Sequence, residues 1–181
     1  DALSGTLERS SLAYEGCAAW LLSDNPSNSG DVVVAGRAVS TKSGVTGVEY
    51  SLDEQGWTAV SDPAAAWGSS EVEWRLPLSV EDGSHGVVVR ALTGDGPIDA
   101  ETSLSFTVDT VAPETTADAT GAWLTRRPVL VHLTASDATT EVVTTQWRLL
   151  GDRDWLTYDE PVSIGQEGES VLEYRSVDAA G

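Results

Sequence analysis

Methionine is absent from the 181 residues, phenylalanine occurs once, and Cys17 is the sole cysteine. One thiol cannot form an intrachain disulfide, a usage that fits a secreted bacterial protein and a cytosolic one equally. Beside Ala18, Ala19 and Trp20, Cys17 reads as a small buried apolar residue, not a reactive thiol. Basic residues are scarce as well: 10 against 29 acidic, a formal net charge of −19. That balance excludes nucleic-acid binding, where phosphates demand the opposite sign. It also disfavours an anionic membrane, and it keeps an exposed protein soluble. No stretch approaches the roughly 20 apolar residues of a membrane helix, so no membrane insertion is expected. Lacking an initial methionine, the chain is expected to be a mature product or an excised fragment, with any signal or anchor outside it.

A helical stripe of ten or more residues is also missing, and what stands in its place is alternation. Val72, Trp74, Leu76, Leu78 and Val80 alternate with Glu71, Glu73 and Arg75. Leu104, Phe106 and Val108 alternate with Ser103, Ser105 and Thr107, and Val48, Tyr50 and Leu52 with Glu49 and Ser51. A two-residue period puts one face of a strand in a core and the other in water. Asp62-Pro63, Asp82-Gly83 and Asp95-Gly96-Pro97 supply turns between these runs. With 40% hydrophobic residues, the chain holds enough apolar material for packed cores. It reads as all-β.

An internal repeat sets the architecture. Val32, Val34, Gly36 and Ala38 match Val129, Val131, Leu133 and Ala135, and the same offset brings Tyr50 onto Trp147 and Leu52 onto Leu149. Trp57 meets Trp155 after one inserted residue. Farther on, Gly83, Val87, Val89 and Arg90 match Gly168, Leu172, Tyr174 and Arg175, so the first copy has an extra stretch around Pro63–Pro77. Two tandem antiparallel β-sandwiches of the immunoglobulin-like (Ig-like) kind are expected, residues 18–112 and 113–181. Residues 1–17 are an N-terminal extension or the end of a preceding domain. Ala18–Ser23 is the expected first strand, with Trp20 or Leu22 in the core. The joint falls near Ala112, stiffened by Pro113. The second copy has no counterpart of Glu101–Val108: either the chain is cut there or its last strand comes from downstream sequence, and as written its open edge is expected to pair with a neighbouring chain in crystals.

The phrases VEYSLDEQGWTAV, LSVEDGSHGVVVRAL and FTVDTVAP resemble the bacterial Ig-like domains of surface and secreted proteins. TTQWRLLGDRDWLTYDEPVSI through GESVLEYRSVDAAG is similar to the Ig-like repeat named after an outer-membrane protein of the L series. The resemblance covers about Ala18 to Gly181. It implies a non-catalytic spacer or stalk module of an extracellular multidomain protein, on the cell surface or secreted, whose partners are the neighbouring domains of its own chain. The alternative is an adhesive or accessory module that binds a host protein or a glycan. The resemblance brings no catalytic residues, and strands this short and polar cannot form a transmembrane barrel.

No catalytic, cofactor-binding or metal-binding residue is assigned from the sequence. Acidic residues are too many for a glycosidase pair to be nominated. His85 and His132 lack the context of a catalytic triad and read as ordinary strand residues, and no Cys/His spacing suits zinc. Calcium is the one ion the composition allows, because hard cations take several oxygens and junction carboxylates can tie a linker to adjacent loops. Asp109 in the linker, Asp137 and Asp178 in the second copy, and Asp95 and Asp99 in the first are the residues to follow. No calcium-loop motif gathers them along the chain, so no cofactor is assigned. Among the 7 tryptophans, Trp57, Trp74, Trp147 and Trp155 fall in repeated or alternating contexts and read as core or core-edge. Trp67 and Trp123 lack that patterning and are the expected exposed pair, the first to test for sugar stacking.

Overall fold

The computed structural model describes residues 15–119 and 127–181, and every regular element among them is a β-strand. The expectations for Trp123 and for most of residues 1–17 fall outside the described residues. The chain divides into two compact units. The first takes in the chain up to Ser23, Asp31–Ser79 and Ser84–Phe106; the second takes in Asp24–Gly30, Val80–Gly83 and Thr107–Gly181.

The first unit is a two-sheet sandwich. Gly16–Leu21 (β1), Asp31–Val39 (β2) and Glu71–Ser79 (β5) form one sheet in the order β1-β2-β5. Val45–Leu52 (β3), Thr58–Ala59 (β4), Gly83–Thr93 (β6) and Gly96–Val108 (β7) form the other in the order β4-β3-β6-β7. The alternation legible in the sequence becomes burial: β5 follows a strict exposed–buried pattern over its nine residues. Val32, Val34, Val48, Val72, Trp74, Val87 and Val89 are each at most 1% exposed, and they form the interior. Each such side chain contributes about 1.5–3 kcal/mol by leaving water.

Two expectations are corrected at this point. In β1 the buried side chain is Cys17, whereas Trp20 is half-buried and Leu22 is 50% exposed. The stretch read as an insertion around Pro63–Pro77 is partly the long central run of β5, which pairs with β2 from Asp31↔Ser79 to Val39↔Glu71. Only the loop ahead of it is extra, and Asp62 caps that loop by accepting the Arg75 amide at 2.8 Å.

The second unit repeats the order with shorter strands: Glu114–Ala117 (β8), Val129–Val131 (β9), Leu133–Ser136 (β10), Val142–Leu149 (β11), Leu156–Thr157 (β12), Val162–Ile164 (β13) and Leu172–Asp178 (β14). The counterpart of β2 is broken at His132 into β9, which pairs with β13, and β10, which pairs with β8. Asp118 holds the break, its Oδ1 accepting the His132 amide at 2.8 Å and its Oδ2 meeting His132 Nδ1 at 2.7 Å. The other sheet runs β12-β11-β14. Val131, Leu133 and Val162 are the buried centre, with Trp147, Tyr158, Leu172 and Tyr174 packed around them. The chain is all-β, and both units are built from antiparallel sheets in the Ig-like order.

Candidate metal centre

Three Asx turns bring the candidate site together. Asp109 follows β7; its amide donates to the Ser27 carbonyl at 2.8 Å, and its Oδ1 accepts the Val111 amide at 3.2 Å. Asp137 opens the β10–β11 loop, and its Oδ1 accepts the Thr139 and Thr140 amides at 2.8 and 3.0 Å. Asp178 ends β14, and its Oδ1 accepts the Ala180 and Gly181 amides at 2.8 Å each. Aspartate favours such turns because its short side chain reaches the backbone two residues on. In each case the turn fixes one oxygen and thereby aims the other.

These carboxylates converge. One oxygen from each of Asp109, Asp137 and Asp178 lies within 4.8 Å of the other two. Asp109 is 2% exposed and Asp178 7%, and both sit in the second unit. Asp109 Oδ2 accepts the Thr140 hydroxyl at 2.5 Å, whereas Asp137 Oδ2 is buried with no hydrogen-bond partner. The Thr139 amide, followed by that of Thr140, holds the Asp137 carboxyl below the usual carboxylate range, so it is ionised at neutral pH. Buried carboxylates this close repel unless a cation or a proton lies between them. Three converging carboxylate oxygens are the hard donors that a divalent cation of calcium size takes.

Of the five aspartates followed from the sequence, three are therefore brought together. Asp95 and Asp99 stay apart from them, in the β6–β7 turn and in β7 of the first unit. The linker next to Asp109 is itself pinned. The Thr107 amide donates to Asn25 Oδ1 at 3.0 Å, and Asp82 Oδ1 accepts the Thr110 amide and hydroxyl at 3.0 and 2.9 Å. Asn25, Ser27 and Asp82 all cluster with the second unit. Nothing in the sequence singles out Ser27 or Asp82, since neither carries a pattern beyond that of a turn.

Both histidines pair with aspartates instead of nucleophiles. His85 Nδ1 meets Asp53 Oδ2 at 2.8 Å, and its ring lies 5.5 Å from that of Phe106. Burial pushes the Cys17 thiol up to about 12, which keeps it protonated and inert.

The tryptophan expectations are partly corrected. Trp74 is buried, as its alternation predicts, and Trp147 packs on the second core, as its match to Tyr50 across the repeat predicts. Trp67 is half-buried, and among the described tryptophans Trp57 is the exposed one, at 38%. Its ring is covered by Arg90, whose Cζ lies 3.9 Å from the ring centroid while its guanidinium pairs with Glu49. Trp155 is stacked in the same way by Arg148 and Arg175, at 4.5 and 4.3 Å. A cation over the ring occupies the face a sugar would need.

No protein-family model and no curated protein matches the chain. Among solved structures it is similar to the fibronectin(III)-like modules of Clostridium thermocellum CbhA, with 16% identity and a TM-score of 0.42 over 90% of this chain and 87% of that one.

Proposed function

We propose that the chain is a non-catalytic spacer module of an extracellular multidomain protein, and that a calcium ion held by Asp109, Asp137 and Asp178 locks its linker segment. The convergence of three carboxylates from the linker, the β10–β11 loop and the end of β14 supports this reading. A cation there ties three separate segments into one rigid point, which is what a spacer under load requires. Extracellular modules bind calcium at dissociation constants of about 10⁻⁴–10⁻³ M, suited to the concentrations outside cells. The acidic surface, at a net charge of −19, fits a solvated module that neither aggregates nor adheres to anionic surfaces.

Calorimetric titration with calcium chloride tests the site. The expected result is a single exothermic or endothermic binding event and a higher melting temperature, both lost in Asp137→Asn, whose amide cannot serve as an anionic ligand. No heat and no change in melting temperature at millimolar calcium would remove the calcium lock. The spacer reading is tested separately by fusing the chain between two fluorophores. A transfer efficiency that stays narrow and unchanged under moderate ionic strength supports it, and a broad distribution opposes it.

A further inference from the structure

We propose that the outer face of the β1-β2-β5 sheet is a binding site for a neutral polysaccharide, centred on the Trp20 ring. Strand register puts the ring there. Cys17, Ala19 and Leu21 stand opposite Ala38, Gly36 and Val34, the buried positions of β2, so Trp20 and Leu22 face outward. Trp20, Ala35 and Arg75 form one row across the sheet, and Leu22, Val33 and Pro77 the next. Ala35 faces outward with its row yet is 5% exposed, a small side chain walled in by the two large ones beside it. Leu22 and Pro77 are exposed and Val33 is half-buried, so an apolar strip runs alongside the indole.

No cation of the described residues stacks on this ring, whereas Trp57 and Trp155 carry arginines over theirs. The polar groups beside it are free as well. Arg37 pairs with Glu71 at 2.5 Å, but the Arg75 guanidinium and the Glu73 carboxylate have no partner among the described residues, and both positions are exposed. A pyranose offers C–H groups on its ring face and hydroxyls round its rim. The C–H face packs on an indole, while the hydroxyls accept from a guanidinium and donate to a carboxylate in bonds strengthened by charge. Size and charge then select the occupant. With strands about 4.8 Å apart and alternate residues about 6.6 Å apart, two rows of three cover roughly 200 Å². A stable protein interface needs about 800 Å² per partner, so the strip suits a few sugar rings instead. Single small ligands prefer concave pockets, and this open face calls for a chain that lays consecutive rings along it. A net charge of −19 repels an acidic polysaccharide and leaves a neutral one.

Affinity electrophoresis of the full chain tests the site, in native gels cast with hydroxyethylcellulose, galactomannan or dextran, and with polygalacturonate as the acidic comparison. At least one neutral polymer is expected to retard the chain, in chelator as in calcium, which keeps this test separate from the calcium lock. The retardation is lost in Trp20→Ala, weakened several-fold in Arg75→Gln and Glu73→Gln, and kept in Trp57→Ala. The two β5 variants sit at exposed positions and carry the test should circular dichroism show Trp20→Ala misfolded. No retardation by any neutral polymer, full retardation of the folded Trp20→Ala or of both β5 variants, or stronger retardation by polygalacturonate would each overturn the proposal. So would a concentration-dependent dimer in sedimentation that Trp20→Ala abolishes, which assigns the face to a second copy.

Discussion

Gly36 shows how little room a single residue has inside the first sandwich. A Cβ built there would overlap the Trp74 ring and the Ala18 carbonyl. Neither can withdraw, since Trp74 is 1% exposed and Ala18 is paired with Arg37 across β1 and β2. Gly36→Ala is therefore expected to cost more than about 3 kcal/mol, at the upper end of overpacking, read as a drop in the urea midpoint. Asp53 acts through charge. His85, and next the Gly86 amide, hold its carboxyl below the usual range. Its folded pKa being lower than its unfolded one, its contribution to stability is full above the unfolded value and is lost as pH falls through the folded one. Melting temperature measured from pH 7 downward should thus fall less steeply below about pH 4 in Asp53→Asn than in the parent. Identical acid limbs would show that the pair is energetically silent.

At the scale of elements, the second unit shows what interrupts a strand. β2 runs unbroken for nine residues, whereas its counterpart parts at His132 into β9 and β10. The break would orphan backbone groups, and side chains take them up. Asp118 accepts the His132 amide, and the Tyr158 hydroxyl accepts the Leu133 amide at 3.1 Å. Leu133 is 7% exposed, so its amide has little access to water. Tyr158→Phe is expected to destabilise the second unit by about 1–3 kcal/mol, the cost of a buried donor left unpaired. Chemical denaturation followed by tryptophan fluorescence measures it. A change near zero would mean that water replaces the hydroxyl. The period-two pattern of Val129, Val131 and Leu133 foretold a strand. It could not foretell the break, because the partner that enforces it, Asp118, comes from another strand's end.

The two units are unequal as wholes. The first buries a long series of valines with Trp74 and Phe106, whereas the described core of the second centres on Val131, Leu133 and Val162. Part of the second interior is polar: Ser176 accepts the Thr115 hydroxyl at 2.7 Å and lies 2.8 Å from that of Thr145. Since stability follows buried apolar area, the second unit is expected to unfold first. Scanning calorimetry should resolve two transitions in chelator. Calcium at about a hundred times its dissociation constant adds some 2.7 kcal/mol to whichever unit binds it. The lower transition alone should therefore move up. A shift of the upper transition instead would place the ion elsewhere.

Local periodicity by itself determined the central strands and the facing of β5, since alternation and turn residues act over a few neighbours and survive without knowledge of the fold. It made Trp74 a core residue and placed Leu52 on Leu149 before any contact was known. Tertiary structure alone decided three further matters. It brought Asp109, Asp137 and Asp178 together and left Asp95 and Asp99 out, because convergence across distant segments depends on where three turns end in space. It put Arg90 over Trp57, since cross-strand register sets Arg90 opposite Glu49. And it broke the counterpart of β2 at His132, where Asp118 from the end of β8 takes up the backbone.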